Sequence, residues 1–239
     1  MPDSIADFLH NARPTAERPL MGHTILLVED SRFASEAMRL LCLRSGARIR
    51  RADSLRAAGR HLRAYHPSVV IVDLGLPDGS GLDLIAELAA PSARALVILA
   101  TSGDVSLVDA ARAAGADGFL AKPITSLAQF QEAVLSRLPD AARPTGLRAL
   151  PDEHVRPDRL ALRDDLEHIL NLLGGAQDAG TLRYASRFLA GLARSAEDAE
   201  LAAAAEAFAG RDGDGEGDPV RIGRLTGLVE DRLRRRAVV

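Results

Sequence analysis

Five chemically useful side chains stand where short apolar runs give out. Glu29 and Asp30 follow Thr24–Val28, Asp73 follows Val69–Val72, and Thr101 follows Ala95–Ala100. Lys122 follows Gly118–Ala121, with Pro123 behind it. Together they suit one reaction, transfer of a phosphoryl group to a carboxylate. Asp73 offers the nucleophile, which would become an aspartyl phosphate. Asp30 and Asp73 offer hard oxygens to a divalent cation, with Glu29 helping directly or through water. Mg²⁺ suits that set, since it takes one or two carboxylates, several waters and a phosphate oxygen. Such a cation offsets the repulsion among three acids and spreads the charge of the transferring group. Lys122 supplies a point charge for a phosphoryl oxygen, and Thr101 supplies a hydroxyl donor. Each residue alone is ordinary: acid pairs sit at solvated loop ends and a strand-ending Asp often caps a helix. The joint arrangement is what points to chemistry.

Among 30 Lys and Arg residues, Lys122 is the single lysine. A chain this biased towards arginine still carries an ammonium at that position. A compact point charge on a flexible stem is not interchangeable with a planar guanidinium.

For these groups to meet, the runs that carry them must lie side by side. The four runs read as buried parallel strands, and Arg48–Arg51 reads as a weaker fifth near a sheet edge. Between them lie helical patterns at about 32–44, 54–65, 80–90, 105–114 and 126–138. Ser54, Ser80 and Ser126 are placed to cap helix N-termini, and Gly46 and Gly115 to end helices. Five strands alternating with helices predict a doubly wound, flavodoxin-like α/β domain. Its functional crevice lies at the carboxyl ends of the strands, where the five side chains fall.

Residues 23–138 resemble a bacterial response-regulator receiver domain. The matching motifs are Ile25-Leu26-Leu27-Val28-Glu29-Asp30, Val70-Ile71-Val72-Asp73-Leu74-Gly75-Leu76-Pro77-Asp78-Gly79-Ser80-Gly81, Leu99-Ala100-Thr101-Ser102 and Gly115-Ala116-Asp117-Gly118-Phe119-Leu120-Ala121-Lys122-Pro123. The resemblance implies phosphorylation of Asp73 by a histidine kinase or phosphotransfer protein. It implies that Mg²⁺ is held by Glu29, Asp30, Asp73 and the Gly75 backbone carbonyl, and that Lys122–Pro123 is a cis peptide. It makes Thr101 and Phe119 a switch pair, and makes the face of residues 104–114, 118–121 and 126–138 the one that changes partners. It implies no enzymatic activity beyond the domain's own phosphorylation and dephosphorylation.

The remainder divides into an arm at 1–22, a Pro-rich linker at 139–157 and a helical output or dimerisation domain at 158–239. Ser4, with Ile5, Phe8 and Leu9, suits a helical turn in the arm. Helical patterns cover about 158–173, 178–209 and 219–236, and Ser195 followed by Asp198 suits a restart inside the second. Leu162-Arg163-Asp164-Asp165-Leu166-Glu167-His168-Ile169-Leu170-Asn171 is similar to the phosphoacceptor segment of histidine-kinase dimerisation domains, with Asp164 where the histidine would stand. That similarity implies a degenerate dimerisation or phosphotransfer domain that has lost its phosphohistidine. His168 is the other candidate phosphate carrier, but Asn171 and Leu172 stand where phosphotransfer bundles carry Lys and Gly, so a surface or capping histidine is expected. Leu182, Ala185, Leu189, Leu192, Ala196 and Ala199 recur at three-to-four spacing. Two helices alone offer too little area for a closed core, so a homodimeric four-helix bundle is expected.

Composition narrows the function classes. A net charge of −3 gives no bulk reason to expect a nucleic-acid partner. Arg221–Arg236 is basic but reads first as an amphipathic helix, with a DNA-contacting arm as its alternative. Arg211–Asp218 has the look of a calcium loop, but Gly223 stands where a bidentate Glu is required, so an acidic linker is expected. One cysteine, Cys42, fits a buried thiol and a reducing cytoplasm. No apolar stretch suits a signal peptide or a membrane span.

Overall fold

The computed structural model describes residues 13–90, 95–146, 149–175, 178–209 and 219–235. The chain forms two compact units. The first comprises residues up to Asp30 together with Ser35–Arg156, and the second comprises Ser31–Ala34 together with residues from Pro157 onward.

In the first unit, three apolar central runs rich in Val, Ile and Leu, flanked by the more polar Arg48–Ala52 and by Gly118–Ala121, form a five-stranded parallel sheet. Its strands are β1 (Thr24–Val28), β2 (Arg48–Ala52), β3 (Val69–Asp73), β4 (Val97–Ser102) and β5 (Gly118–Ala121), in the order β2-β1-β3-β4-β5. Helices α1 (Arg32–Arg44), α2 (Leu55–Ala64), α3 (Gly81–Ala89), α4 (Val108–Ala113) and α5 (Leu127–Leu135) follow the strands in turn. This is the doubly wound α/β fold expected from the alternation. Period-two side-chain direction divides the core into two layers. Ile25 and Leu27 face Met38 and Leu41 of α1 and Phe130 and Val134 of α5. Leu26 and Val28 face Ala57 and Ala58 of α2 and Leu84, Ile85 and Leu88 of α3. Between them the two layers bury every apolar side chain of the central strands. At about 1.5–3 kcal/mol per large side chain, this burial is the main force that holds the strand ends together.

Ser54, Ser80 and Ser126 each accept a hydrogen bond from a backbone N–H in the first turn of α2, α3 and α5. Gly46 and Gly115 adopt positive φ after α1 and α4, where an L side chain would be strained. The fourth strand sits two residues later than its hydrophobicity suggested. Thr101 and Ser102 belong to β4 because they pair with neighbours on both sides: Asp73 lies opposite Thr101, and Ala121 opposite Ser102. A short antiparallel hairpin that the sequence did not announce joins Gly75–Leu76 to Gly79–Ser80.

Proline content marks residues 139–157 as a linker, but most of this stretch is attached to the first unit. His23 Nε2 lies 3.0 Å from the Ala142 carbonyl. His154 bridges to Ser126, and Val155 is a buried member of the α1/α5 layer. Leu20 is fully buried in the same layer, and its N–H reaches the Ser45 carbonyl. The helical turn expected around Ser4 lies outside the described residues.

The second unit is helical: α6 (Arg159–Gly175), α7 (Ala179–Ser195), α8 (Ala199–Ala209) and α9 (Pro219–Arg235). Leu162, Leu166, Ile169 and Leu173 bring one stripe of α6 to a core completed by Leu182, Ala185 and Leu189 of α7. Leu201 and Ala205 of α8 and Leu225 and Val229 of α9 close it. The 178–209 pattern is thus two helices. The break falls at Glu197, whose φ of 58° ends α7, and Asp198 then caps α8 by accepting from the Leu201 N–H. Arg232 of α9 binds Asp198 at 2.9 Å and Glu200 at 2.5 Å, tying the last helix to that turn. This corrects the expectation that a two-helix hairpin must find its neighbour in a second copy. α8 and α9 of the same chain supply the missing face, and Leu189 is fully buried without a partner chain. The Arg211–Asp218 stretch lies outside the described residues.

Candidate functional site

The sheet brings the ends of β1, β3 and β5 to one edge. Glu29 continues the line of β1, its N–H bonded to the Ala52 carbonyl of β2 at 2.9 Å. Asp73 is the last residue of β3. The Leu74 N–H bonds the Thr101 carbonyl, which fixes the point where the chain turns away. Lys122 follows β5, its N–H held by the Ser102 carbonyl. Gly81 shows how tightly this edge is built. A Cβ there would come within 2.1 Å of the Asp73 carbonyl oxygen, so only glycine lets α3 start directly against the strand end.

Lys122 Nζ lies 2.7 Å from Glu29 Oε2 and 2.9 Å from Asp73 Oδ2, and all three side chains are nearly buried. Burial pushes the Glu29 carboxyl well above the usual glutamate range, and the Lys122 ammonium only partly offsets this. Burial works against the Lys122 charge too, but Asp73 and Glu29 outweigh it and raise the ammonium's pKa above that of a free lysine. Glu29, Asp30 and Asp73 each offer one ligand oxygen, and these oxygens lie within 4.8 Å of one another. Two of these carboxylates, Glu29 and Asp73, hold the Lys122 ammonium, and all three offer hard oxygens. That donor set fits Mg²⁺. Its residues are Glu29, Asp30 and Asp73, with the Gly75 carbonyl next along the chain and the Gly75 N–H 3.4 Å from Asp73 Oδ1.

Thr101 is fully buried, and its hydroxyl donates to the Leu120 carbonyl at 2.9 Å. Phe119 is partly buried against the α2/α3 layer. The Lys122–Pro123 peptide is cis. The edge thus assembles Glu29, Asp30, Asp73 and Lys122, while Thr101 points its hydroxyl at its own sheet neighbour.

Asp78 is a contributor that reading the sequence missed. Its two carboxylate oxygens accept the N–H groups of Leu55 and Arg56 at 2.8 and 3.0 Å, pinning the Gly75–Ser80 hairpin to the start of α2. Partial burial alone would raise its carboxyl, but the N–H groups of Arg56 and Leu55 hold it below the usual aspartate range. The available signal was Pro77-Asp78-Gly79, a turn sequence whose Asp readily caps nearby backbone.

In the helical unit, His168 is exposed on α6, its ring packed edge-on to Phe188 of α7 with the ring centroids 6.1 Å apart. Among the described residues, the only cluster of three or more acids, histidines or cysteines able to hold a metal ion is the one at the sheet edge.

Comparison with known proteins gives a concordant picture. Residues 25–134 match the family described as the response regulator receiver domain. The KDP operon transcriptional regulatory protein KdpE of Escherichia coli is 32% identical over 132 residues, covering 55% of this chain and 56% of that one. The virulence transcriptional regulatory protein PhoP of Salmonella typhimurium is 34% identical over 101 residues, covering 41% and 45%. The chain therefore spans about half the length of the curated relatives it matches. Among solved structures, a response regulator from Chloroflexus aurantiacus is 32% identical, with a TM-score of 0.44, covering 48% of this chain and 98% of that one.

Proposed function

Residues 25–134 being a response regulator receiver domain, we propose that the chain is a two-component signalling protein that takes a phosphoryl group on Asp73 from a histidine kinase or phosphotransfer protein. The observation that carries this reading is the contact of Lys122 with both Asp73 and Glu29, beside Asp30. An Asp73 oxygen forms the new bond to phosphorus as the bond from phosphorus to the donor's imidazole nitrogen breaks, and the imidazole then takes up a proton. Lys122 already lies against Asp73, so it can turn to a phosphoryl oxygen without entering from solvent. Mg²⁺ held by Glu29, Asp30, Asp73 and the Gly75 carbonyl would neutralise the charge that gathers on the transferring group. Thr101 and Phe119 respond afterwards: the hydroxyl leaves the Leu120 carbonyl for the phosphoryl group and the ring turns inward. The protein then acts on no separate substrate, and it works in the cytoplasm, where donors of this kind are found.

The helical unit is the output, acting through protein contacts. A transcriptional output is the second reading, and two relatives named as transcriptional regulators favour it. A salt-dependent shift of DNA by the phosphorylated protein would select it. Incubation with acetyl phosphate and Mg²⁺, followed by peptide mass analysis, tests the main reading. One phosphoryl group on Asp73 is expected, and label on His168 instead would replace the reading with a phosphorelay.

A further inference from the structure

Downstream of α5 the chain turns back along the first unit and adds a short strap to the loop that carries Lys122. The Leu127 N–H bonds the Glu153 carbonyl at 2.9 Å, the Val155 N–H bonds the Thr125 carbonyl at 2.9 Å, and Ser126 and His154 face each other as an antiparallel bridge. Val155 is buried in the same layer as Leu127 and Phe130, and Glu153 pairs with Arg44 at the end of α1. The loop is short. Pro123 and Ile124 alone separate Lys122 from Thr125, and Ile124 packs on the layer that holds Val155. Pro123 has a fixed φ, so a displacement at Lys122 passes along the backbone with little slack.

We propose that the Glu153–Val155 strap is a latch that reads the state of Asp73. The proposal rests on Asp73 being the phosphoacceptor. With Asp73 unmodified, Lys122 is anchored at 2.7 and 2.9 Å on two carboxylates, and the loop matches the strap. A phosphoryl group on Asp73 gives Lys122 new anionic oxygens farther out. The ammonium follows them and the loop follows the ammonium. Two backbone hydrogen bonds, one small apolar anchor and the solvent-exposed Glu153–Arg44 pair then lose register with it. A contact of that size opens at low local cost, and its opening lengthens the free tether that leads into Pro157. Binding linkage requires the reverse effect: whatever frees the strap favours the phosphorylated state.

Amide hydrogen exchange on the full chain, with and without acetyl phosphate and Mg²⁺, tests this, provided Asp73 occupancy is read by mass in the same samples. Exchange at the Val155 and Leu127 amides should accelerate about tenfold on phosphorylation, within the usual range for coupled sites, while the Leu27 amide in β1 stays protected. Val155→Asp, which frees the strap, should raise the phosphorylated fraction at limiting acetyl phosphate. Phosphorylated Asp73 with unchanged exchange at both amides overturns the latch alone. No phosphorylation under any condition overturns the phosphoacceptor reading and the latch with it.

Discussion

Thr101 and Leu120 are joined by a 2.9 Å hydrogen bond from the threonine hydroxyl to the leucine carbonyl, across neighbouring strands. The hydroxyl is therefore committed to β5 while Asp73 is held by Lys122. If Thr101 reports phosphorylation, breaking this bond is the first event. Thr101→Val keeps the side-chain shape and loses about 1 kcal/mol for the buried bond. It should still take phosphate on Asp73, while the Phe119 ring signals in an NMR spectrum stay where they were before phosphorylation. Movement of those signals like that in the wild type would remove Thr101 from the switch.

Asp73→Asn should abolish labelling by acetyl phosphate, because an amide is not a nucleophile. Lys122→Arg keeps the charge, but the longer planar fork cannot sit between Glu29 and Asp73 in the same way. Phosphorylation should slow by up to about a hundredfold, the low end for loss of a transition-state donor. An unchanged rate in stopped-flow measurements would show that Lys122 does not contact the transferring group.

Gly75 and Gly103 stand two residues beyond Asp73 and Thr101, and neither brings a side chain to orient a hydrolytic water. A side chain at Gly75 would meet nothing within 4 Å. Gly75→Asn should therefore fold normally and change the dephosphorylation rate severalfold from a slow wild-type value. Identical phosphoform lifetimes for the two proteins would count against this account.

Asp78→Ala removes both acceptors at the start of α2 and should cost about 0.5–1 kcal/mol, the exposed end of the capping range. Mg²⁺ should also bind more weakly, because the hairpin carrying the Gly75 carbonyl loses its anchor. The pH dependence has a definite sign. The folded carboxyl is held below its unfolded value, so its contribution is complete above the unfolded pKa and is lost as pH falls through the folded one. Denaturant titrations of wild type and variant should therefore diverge at neutral pH and converge in acid below about pH 4. A constant gap would exclude the carboxylate as the cause.

Leu189→Asp places a charge in the fully buried core of the helical unit. Losing the leucine alone costs about 2–5 kcal/mol, and the buried carboxylate adds to that. The variant should lose helical signal and a cooperative transition while Asp73 still accepts phosphate. A variant that kept full helicity but changed in mass by light scattering would restore the two-copy bundle.

The sheet domain was legible because its runs are short, apolar and punctuated by serine caps and glycines, and because Glu29, Asp30, Asp73 and Lys122 each end such a run. Thr101 was misplaced relative to its strand because polarity marks a strand end in sequence, whereas hydrogen bonding to both neighbours marks it in space. The attachment of residues 139–156 was hidden for a similar reason. Prolines announce a break in regular structure, but one Val155 and two backbone bonds dock a segment without any periodic signal. The helical unit misled through alanine. Alanine favours helix on every face of residues 178–209, so only Ser195 and Asp198 signalled the restart that the structure places there, and nothing in the run showed that the restarted helix folds back on the same core.

Lys122 is the only lysine in the chain, and its ammonium is enclosed by Glu29 and Asp73. An amine acylates only as the free base, so this side chain is chemically silent while both carboxylates hold it. The molecule thus offers one side-chain amine as a reporter that needs no engineering, told apart from the chain's α-amine by peptide mapping. The rate at which an amine-selective reagent modifies Lys122 measures how often that carboxylate cage stands open.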